Sequence, residues 1–171
     1  MKTIVLLLLI TPIIGFSQKT DVFVKLTDPK GLQIKGESTL KGFERWIGAT
    51  TINSGGKNNT LLSFTMPLSG ASADLKRAMA NGELLLNGQI TVLSSSQTMG
   101  SPVISYIIKM ENIAVTSCAE AMGCNSVMNT TVTLQATRIG LTYYQIDRTG
   151  AQVVSRKFGW DADAQTEWTN F

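Results

Sequence analysis

The residue types that carry out most enzyme chemistry are sparse in this sequence. Histidine, the commonest general base and metal ligand, is absent from all 171 residues. The sequence also contains no G-x-S-x-G elbow, no phosphate-binding glycine loop and no C-x-x-C pair. We therefore predict no catalytic residues, no cofactor and no metal site, and we do not expect an enzyme.

The acidic residues that could still do chemistry have simpler interpretations. Asp161, Asp163 and Glu167 lack the central glycine and the spacing of a calcium loop, so a solvated acidic tail is favoured. Glu37 and Glu44 could act as a carboxylate pair only if the fold brings them together, and exposed strand charges are the default interpretation. Neither group predicts a reaction.

The two cysteines form a closely spaced pair. Cys118 and Cys124 stand six positions apart and are the only cysteines in the chain. In an exported protein, such a pair favours a disulfide, which would contribute about 2 kcal/mol of stability in the chain-entropy model. Two free thiols in a loop are the alternative. A metal site is disfavoured because there is no histidine and no second cysteine pair.

The N-terminus has the pattern of a secretory signal peptide. Lys2 is followed by an unbroken aliphatic run, and the small residue Ser17 stands before Gln18. The run is shorter than the ~20 residues needed to cross a bilayer, so no stable membrane insertion is expected. We predict that residues 1–17 are a cleaved signal peptide. Residues 18–171 would then form a single exported domain, periplasmic or secreted.

The elements that must position these residues are mostly β-strands. Apolar and polar residues alternate with a period of two along most of the chain after Thr20. The segment Ala71–Met79 has no β-branched residue, carries Leu75 and Met79 on one face and is followed by Asn81-Gly82, which predicts one short helix. About eight strands and one helix predict a mostly β, antiparallel barrel or sandwich.

Four local expectations follow from the same patterns. Residues 43–52 are predicted as one strand, and the Cys118–Cys124 segment as a loop. A change of apolar phase between Ala136 and Ile139 predicts a bulge. The chain after Asp161 is polar and is predicted to be a loose tail.

Charge argues against a nucleic-acid partner. The chain has 15 Lys and Arg against 12 Asp and Glu, so its formal net charge is only +3. Only 16% of the residues are charged, which leaves less surface repulsion than usual and makes self-association easier.

Several short motifs follow one another in a set order along the chain. Residues 21–26 form an apolar strand containing a lysine, residues 34–38 read I-K-G-E-S, the predicted helix ends at Asn81-Gly82, and residues 158–161 read F-G-W-D. In order and spacing, these motifs resemble the Hcp (haemolysin-coregulated protein) family, the tube subunits of type VI secretion systems, which has a similar I-x-G-E-S segment, a single helix at this place and a Gly-Trp-Asp close. The resemblance spans nearly all of residues 20–162.

The resemblance implies a non-enzymatic β-barrel of about eight antiparallel strands with one short flanking α-helix. It implies a homo-oligomer, a hexameric ring, and rings that stack into a tube inside a sheath. Secreted effectors and sheath or spike components are the further expected partners. Lys35, Gly36, Glu37 and Ser38 lie where the family makes its ring-to-ring contact. A cleaved leader, and a shorter stretch between Ser38 and Lys41, would be departures from the family.

The main alternative is an exported, monomeric β-barrel module that binds a small ligand or a glycan. Trp46 and Trp160 could stack on a sugar in such a module, although packing within the β-structure is the commoner use of tryptophan. The size of the native particle separates a ring from a monomer.

We expect intact-mass analysis of protein from its native host to show a chain that begins at Gln18 or close to it, because the leader is removed during export. Cytoplasmic protein that retains Met1 would contradict the export prediction.

Overall fold

The computed structural model describes residues 20–55, 60–95, 102–123 and 126–171. The signal peptide predicted at residues 1–17 lies outside these ranges.

Nine strands and one helix make up the described part of the chain, so the expected mostly β fold with one short helix is confirmed. In chain order, these elements are β1 (Thr20–Thr27), β2 (Ile47–Ala49), β3 (Thr51–Gly55), β4 (Leu61–Pro67), α1 (Gly70–Asn81), β5 (Leu84–Ser95), β6 (Pro102–Met122), β7 (Met128–Ile146), β8 (Gln152–Asp161) and β9 (Thr166–Glu167).

The strands form one antiparallel sheet built around the β6–β7 hairpin. The order of paired strands is β2-β1-β5-β6-β7-β4-β3, and β8 pairs with the far half of β7 and with β9. β2 and β3 lie at opposite ends of this order but are consecutive in the chain, separated only by Thr50. The Thr50 N–H donates to the Thr65 carbonyl oxygen at 2.8 Å. No strand pairing within the described residues joins β2 to β3. The sheet is therefore not closed into the expected barrel by strand pairing, and the chain itself bridges its two ends.

Alternating positions on the strands supply the core, as the period of two predicts. A strand such as β4 buries every second side chain, and the same holds for most of β1. The largest fully buried side chains are Leu26, Leu62, Phe64, Met66, Leu75, Leu85, Ile90, Ile108, Met110, Ile113, Leu134 and Ile139.

The helix α1 covers one side of this core. Its start is held by the Ser69 N–H, which donates to the Ser72 hydroxyl at 3.2 Å, and it ends at Gly82 in the left-handed conformation with φ of 63°. The buried face runs through Ala71, Leu75 and Ala78 and packs on β6. Met79, expected on the buried face, is instead exposed.

The buried positions of β7 do shift by one residue, as the sequence predicts, but the pairing of β6 with β7 contains no bulge at that level. Burial in β7 switches from Ala136 to Ile139, and in β6 it switches from Ile113 to Met110 at the same level. The two strands keep one register through this level, where Asn112 has a φ of 50°. The strands therefore bend together. In the pairings of β7, the register shifts lie between Val115 and Ser117 of β6 and between Tyr143 and Tyr144 of β7.

The prediction of a loose tail after Asp161 is wrong. The Trp168 N–H donates to the Gly159 carbonyl oxygen at 3.0 Å, and the Trp168 and Phe171 rings lie with centroids 5.1 Å apart. The Phe171 ring lies against Gly140 and Gly159, where any side chain would overlap it. Because these two glycines are paired across β7 and β8, together they form a slot for one aromatic ring.

Replacing Phe64 with alanine should destabilise the fold by about 3–5 kcal/mol, because this fully buried ring would leave a cavity in the core. Leu61→Ala on the same strand is the control. Its side chain is 39% exposed and its loss should cost less than ~1 kcal/mol. Urea unfolding measures both. Equal losses of stability in the two variants would contradict the assignment of Phe64 to the core face of β4 and of Leu61 to its exposed face.

Candidate assembly surface

The four predicted ring-contact residues lie on one arm of an ordered hairpin, residues 35–46. The Gly36 N–H donates to the Arg45 carbonyl oxygen at 2.8 Å, the Arg45 N–H donates to the Ser38 carbonyl oxygen at 2.7 Å, and the Ser38 N–H donates to the Trp46 carbonyl oxygen at 3.1 Å. Lys35 and Glu37 are exposed between these bonds, while Gly36 and Ser38 are half-buried. The segment therefore presents two opposite charges from a fixed backbone.

The prediction of one strand over residues 43–52 is wrong, because this hairpin occupies its first part and the rest is divided at Thr50 into β2 and β3. The Trp46 N–H donates to the Phe43 carbonyl oxygen at 3.1 Å, which closes a turn. Gly42 has a φ of 87° and Arg45 a φ of 62°, so the chain cannot be extended at either position. The extended part begins at Ile47.

Aromatic packing anchors the hairpin to β1. The Phe43 ring stacks on Phe23 with a centroid distance of 4.6 Å and meets the Trp46 ring edge-on at 5.2 Å. The Lys25 ammonium lies 5.7 Å from the Trp46 ring centroid. Trp46 is therefore used in packing. Trp160, the other tryptophan considered for sugar stacking, packs against the core.

A second exposed feature is the outer edge of β8, residues 152–158. All of β8 pairs with β7, but within the described residues only Trp160 and Asp161 also pair with β9. The rest of this edge presents backbone N–H and C=O groups that no neighbouring strand pairs with in the described part of the chain. Val154 is 52% exposed and Phe158 is 40% exposed. β8 pairs with the adjacent β7 across a short turn, but which edge of β8 stays open depends on where the other strands lie, and no local pattern in the sequence marks it.

Two of the acidic residues considered for chemistry have structural partners. Glu44 accepts a hydrogen bond from the Gly42 N–H at 2.9 Å, which stabilises the hairpin turn. Asp161 accepts hydrogen bonds from the Ala164 N–H at 3.0 Å and from Arg138 Nε at 2.6 Å. The Ala164 N–H and the Arg138 guanidinium hold the pKa of Asp161 below its usual range. These carboxylates therefore stabilise turns and strand pairing.

The structure describes only one of the two cysteines of the predicted disulfide, because Cys124 lies outside the described residues. The expected loop is wrong for its first part, since Cys118 lies within β6 opposite Val132 and the pairing continues to Met122. The Cys118 sulfur lies 4.0 Å from the Ser72 carbonyl oxygen, and burial raises the pKa of its thiol.

The paired strands set a condition on that disulfide, which stays a prediction. Cys118 and Met122 are four residues apart in an extended strand, which corresponds to ~13 Å. A disulfide joins Cα atoms about 4.4–6.8 Å apart. Formation of the bond would therefore require either that the chain after Met122 folds back toward Cys118 or that the last strand pairs, including Met122 with Met128, open.

Adding a methyl group at Gly36 should disturb the hairpin, because the new Cβ would overlap the Trp46 carbonyl group. We expect Gly36→Ala to lower stability by about 1–3 kcal/mol, the usual cost of forcing atoms into a packed site. Gly48→Ala is the matched control, since nothing lies within 4 Å of its Cβ position. Thermal unfolding of both variants measures the difference. Equal stabilities would contradict the close approach at Gly36.

Comparison with known proteins identifies the fold. It is similar to the crystal structure of Hcp1 from Salmonella typhimurium, with a TM-score of 0.71 and 19% identity over 87% of this chain and 99% of that one. Hcp3, a secreted protein from Pseudomonas aeruginosa, gives a TM-score of 0.64 and 16% identity, with coverages of 80% and 97%. A type VI secretion system effector from Yersinia pestis gives 0.63 and 16%, with coverages of 82% and 98%. At these identities, the likeness shows the fold alone. No curated protein matches the chain.

A family model also matches the sequence directly. Its description is "Type VI secretion system effector, Hcp", and it matches residues 23–149, well over half of the chain. The match includes the 35–46 hairpin, α1 and the β6–β7 hairpin. The resemblance inferred from short motifs is therefore confirmed. The chain belongs to the Hcp family of the type VI secretion system, a family of structural, secreted tube proteins and not of enzymes.

Proposed function

We propose that this protein is an exported, tube-like subunit that closes into hexameric rings, and that these rings can stack and carry secreted effectors. The observation that carries the proposal is the family match over residues 23–149. Its partners would be further copies of the chain, effectors, and sheath or spike components. The exposed β8 edge and the 35–46 hairpin are the surfaces we assign to assembly.

Ring closure is assigned to the β8 edge. A ring requires two different surfaces that meet head to tail on each neighbouring pair of copies. An unpaired strand edge with exposed apolar side chains is a surface that a second chain can cover. The edge of β8 fits this description, since Val154 and Phe158 are exposed there. The low content of charged residues, 16%, reduces repulsion between copies.

Ring stacking is assigned to Lys35, Gly36, Glu37 and Ser38. The three backbone hydrogen bonds across the hairpin hold these residues in one conformation before any contact forms, which lowers the entropy lost on association. Lys35 and Glu37 present opposite charges that a neighbouring ring could complement. The short stretch after Ser38 favours weak stacking, so isolated rings should predominate at moderate concentration.

Export through a cleaved leader is part of the same proposal. Residues 1–17 would be removed and residues 18–171 would form the single mature domain. In the described residues, no helix is both long and apolar enough to cross a bilayer.

Electron microscopy and mass photometry of Glu37→Arg test the two levels of assembly separately. Reversing a charge at the ring-to-ring contact should reduce stacking, seen as shorter or fewer tubes at high concentration, while ring mass is unchanged. Asp163→Arg is the control, because this exposed residue lies in the turn before β9, away from the hairpin in sequence.

A wild-type protein that stays monomeric at every concentration would overturn the ring proposal. It would instead support the alternative, an exported monomeric β-barrel that binds a small ligand or glycan. Loss of rings in Glu37→Arg would place the hairpin in ring closure and contradict its assignment to stacking.

A further inference from the structure

The face of the sheet opposite the core carries a row of cationic and amide side chains. Strand pairing aligns Lys25 of β1 with Gln89 of β5, and Gln89 with Lys109 of β6. Neighbouring strands lie about 4.8 Å apart, so the backbones of the two lysines are ~10 Å apart, with Gln89 between them. This row forms part of the floor of an open groove of about 750 Å³.

The neighbouring row already uses its own carboxylates. Pairing aligns Glu111 of β6 with Arg138 of β7 and Asp161 of β8. Arg138 bonds Glu111 at 3.1 Å and Asp161 at 2.6 Å. No ion pair joins Lys25 or Lys109 to a carboxylate within the described part of the chain. The Lys25 ammonium lies 5.7 Å from the Trp46 ring centroid, a contact that leaves its charge in place. The first row therefore keeps two positive charges that no carboxylate of the described residues pairs with.

An aromatic wall closes one side of the groove. Lys109 is aligned with Gly140, and the Phe171 ring lies on the slot formed by Gly140 and Gly159. Trp168 and Phe171 both line the groove, and the backbone between them runs along it. The tail thus places apolar surface next to the cationic row.

The chemistry of the lining favours a polypeptide ligand. Asn87 and Asn170 line the groove with side-chain amides, each of which can donate and accept hydrogen bonds. Gln89 donates its amide N–H to the Thr91 hydroxyl at 3.1 Å, which leaves its carbonyl oxygen as an acceptor. A phosphate polymer offers acceptors to the lysines but no backbone N–H for these amide oxygens. A peptide offers both.

We propose that this groove binds an extended, carboxylate-rich segment of a partner protein. Lys25 and Lys109 receive two carboxylates, and the amide side chains between and beside them bond the peptide backbone. Side chains two apart in an extended peptide are separated by about 7 Å, and the flexible lysine stems span the remaining distance. Apolar side chains of the ligand pack against Trp168 and Phe171. The proposal does not depend on ring assembly.

Fluorescence anisotropy of the full mature chain at low salt tests this, with a labelled peptide of alternating glutamate and serine as the probe. The double variant Lys25→Gln/Lys109→Gln should weaken binding about tenfold, equal to ~1.4 kcal/mol for two exposed ion pairs. The control Arg77→Gln/Arg148→Gln removes the same charge from α1 and the β7–β8 turn and should change binding less than twofold. Trp168→Ala should weaken binding without changing the net charge.

Two comparison probes make the result decisive. A lysine–serine peptide should not bind, and single-stranded oligothymidine should bind more weakly than the acidic peptide. Equal losses of affinity for the acidic peptide in the two double variants would overturn the proposal, because binding would then depend on net charge alone. Tighter binding of oligothymidine through the same lysines would assign the groove to a phosphate polymer. Absence of binding by folded wild-type protein would also overturn it. Circular dichroism confirms that each variant is folded.

Discussion

The pairing of β6 with β7 is the constraint on which the rest of this structure depends. The two strands contain 21 and 19 residues and form the longest ladder in the described sheet. β5 and α1 pack on β6, while β4 and β8 pair with different halves of β7. Because side chains alternate between faces, a slip of one strand by one residue in this hairpin would turn the core side chains of that strand outward.

The same register creates the surfaces available for function. It places Lys109 and Glu111 in two adjacent rows. The Lys109 row is left cationic, whereas in the Glu111 row Arg138 bonds both Glu111 and Asp161. The register of β7 with β8 aligns Gly140 with Gly159, so that two positions without side chains form a seat for Phe171. The hairpin at residues 35–46 depends less on it, since its own hydrogen bonds and the Phe23–Phe43 stack hold it.

Local patterns predicted the parts of the fold that depend on local physics. The helix was predicted from a run without β-branched residues ended by Asn81-Gly82, and it is found at Gly70–Asn81. The period of two that predicted β-strands is also found, as alternating burial along β1 and β4. The errors fall where chain direction depends on remote contacts. Arg45 adopts a positive φ that no pattern signals, and the polar tail is held by Phe171 on glycines of β7 and β8.

The sequence by itself determined the β-rich class, the single helix, the absence of histidine chemistry and, through the order of short motifs, the family. These features follow from residue type and from spacings of a few residues, because side chains close in sequence take fixed relative directions in a helix or a strand. Only the tertiary structure decided which strand lies beside which. Lys25, Gln89 and Lys109 are far apart in the chain, and they form one cationic row because strand register, set by burial of the opposite face, aligns them.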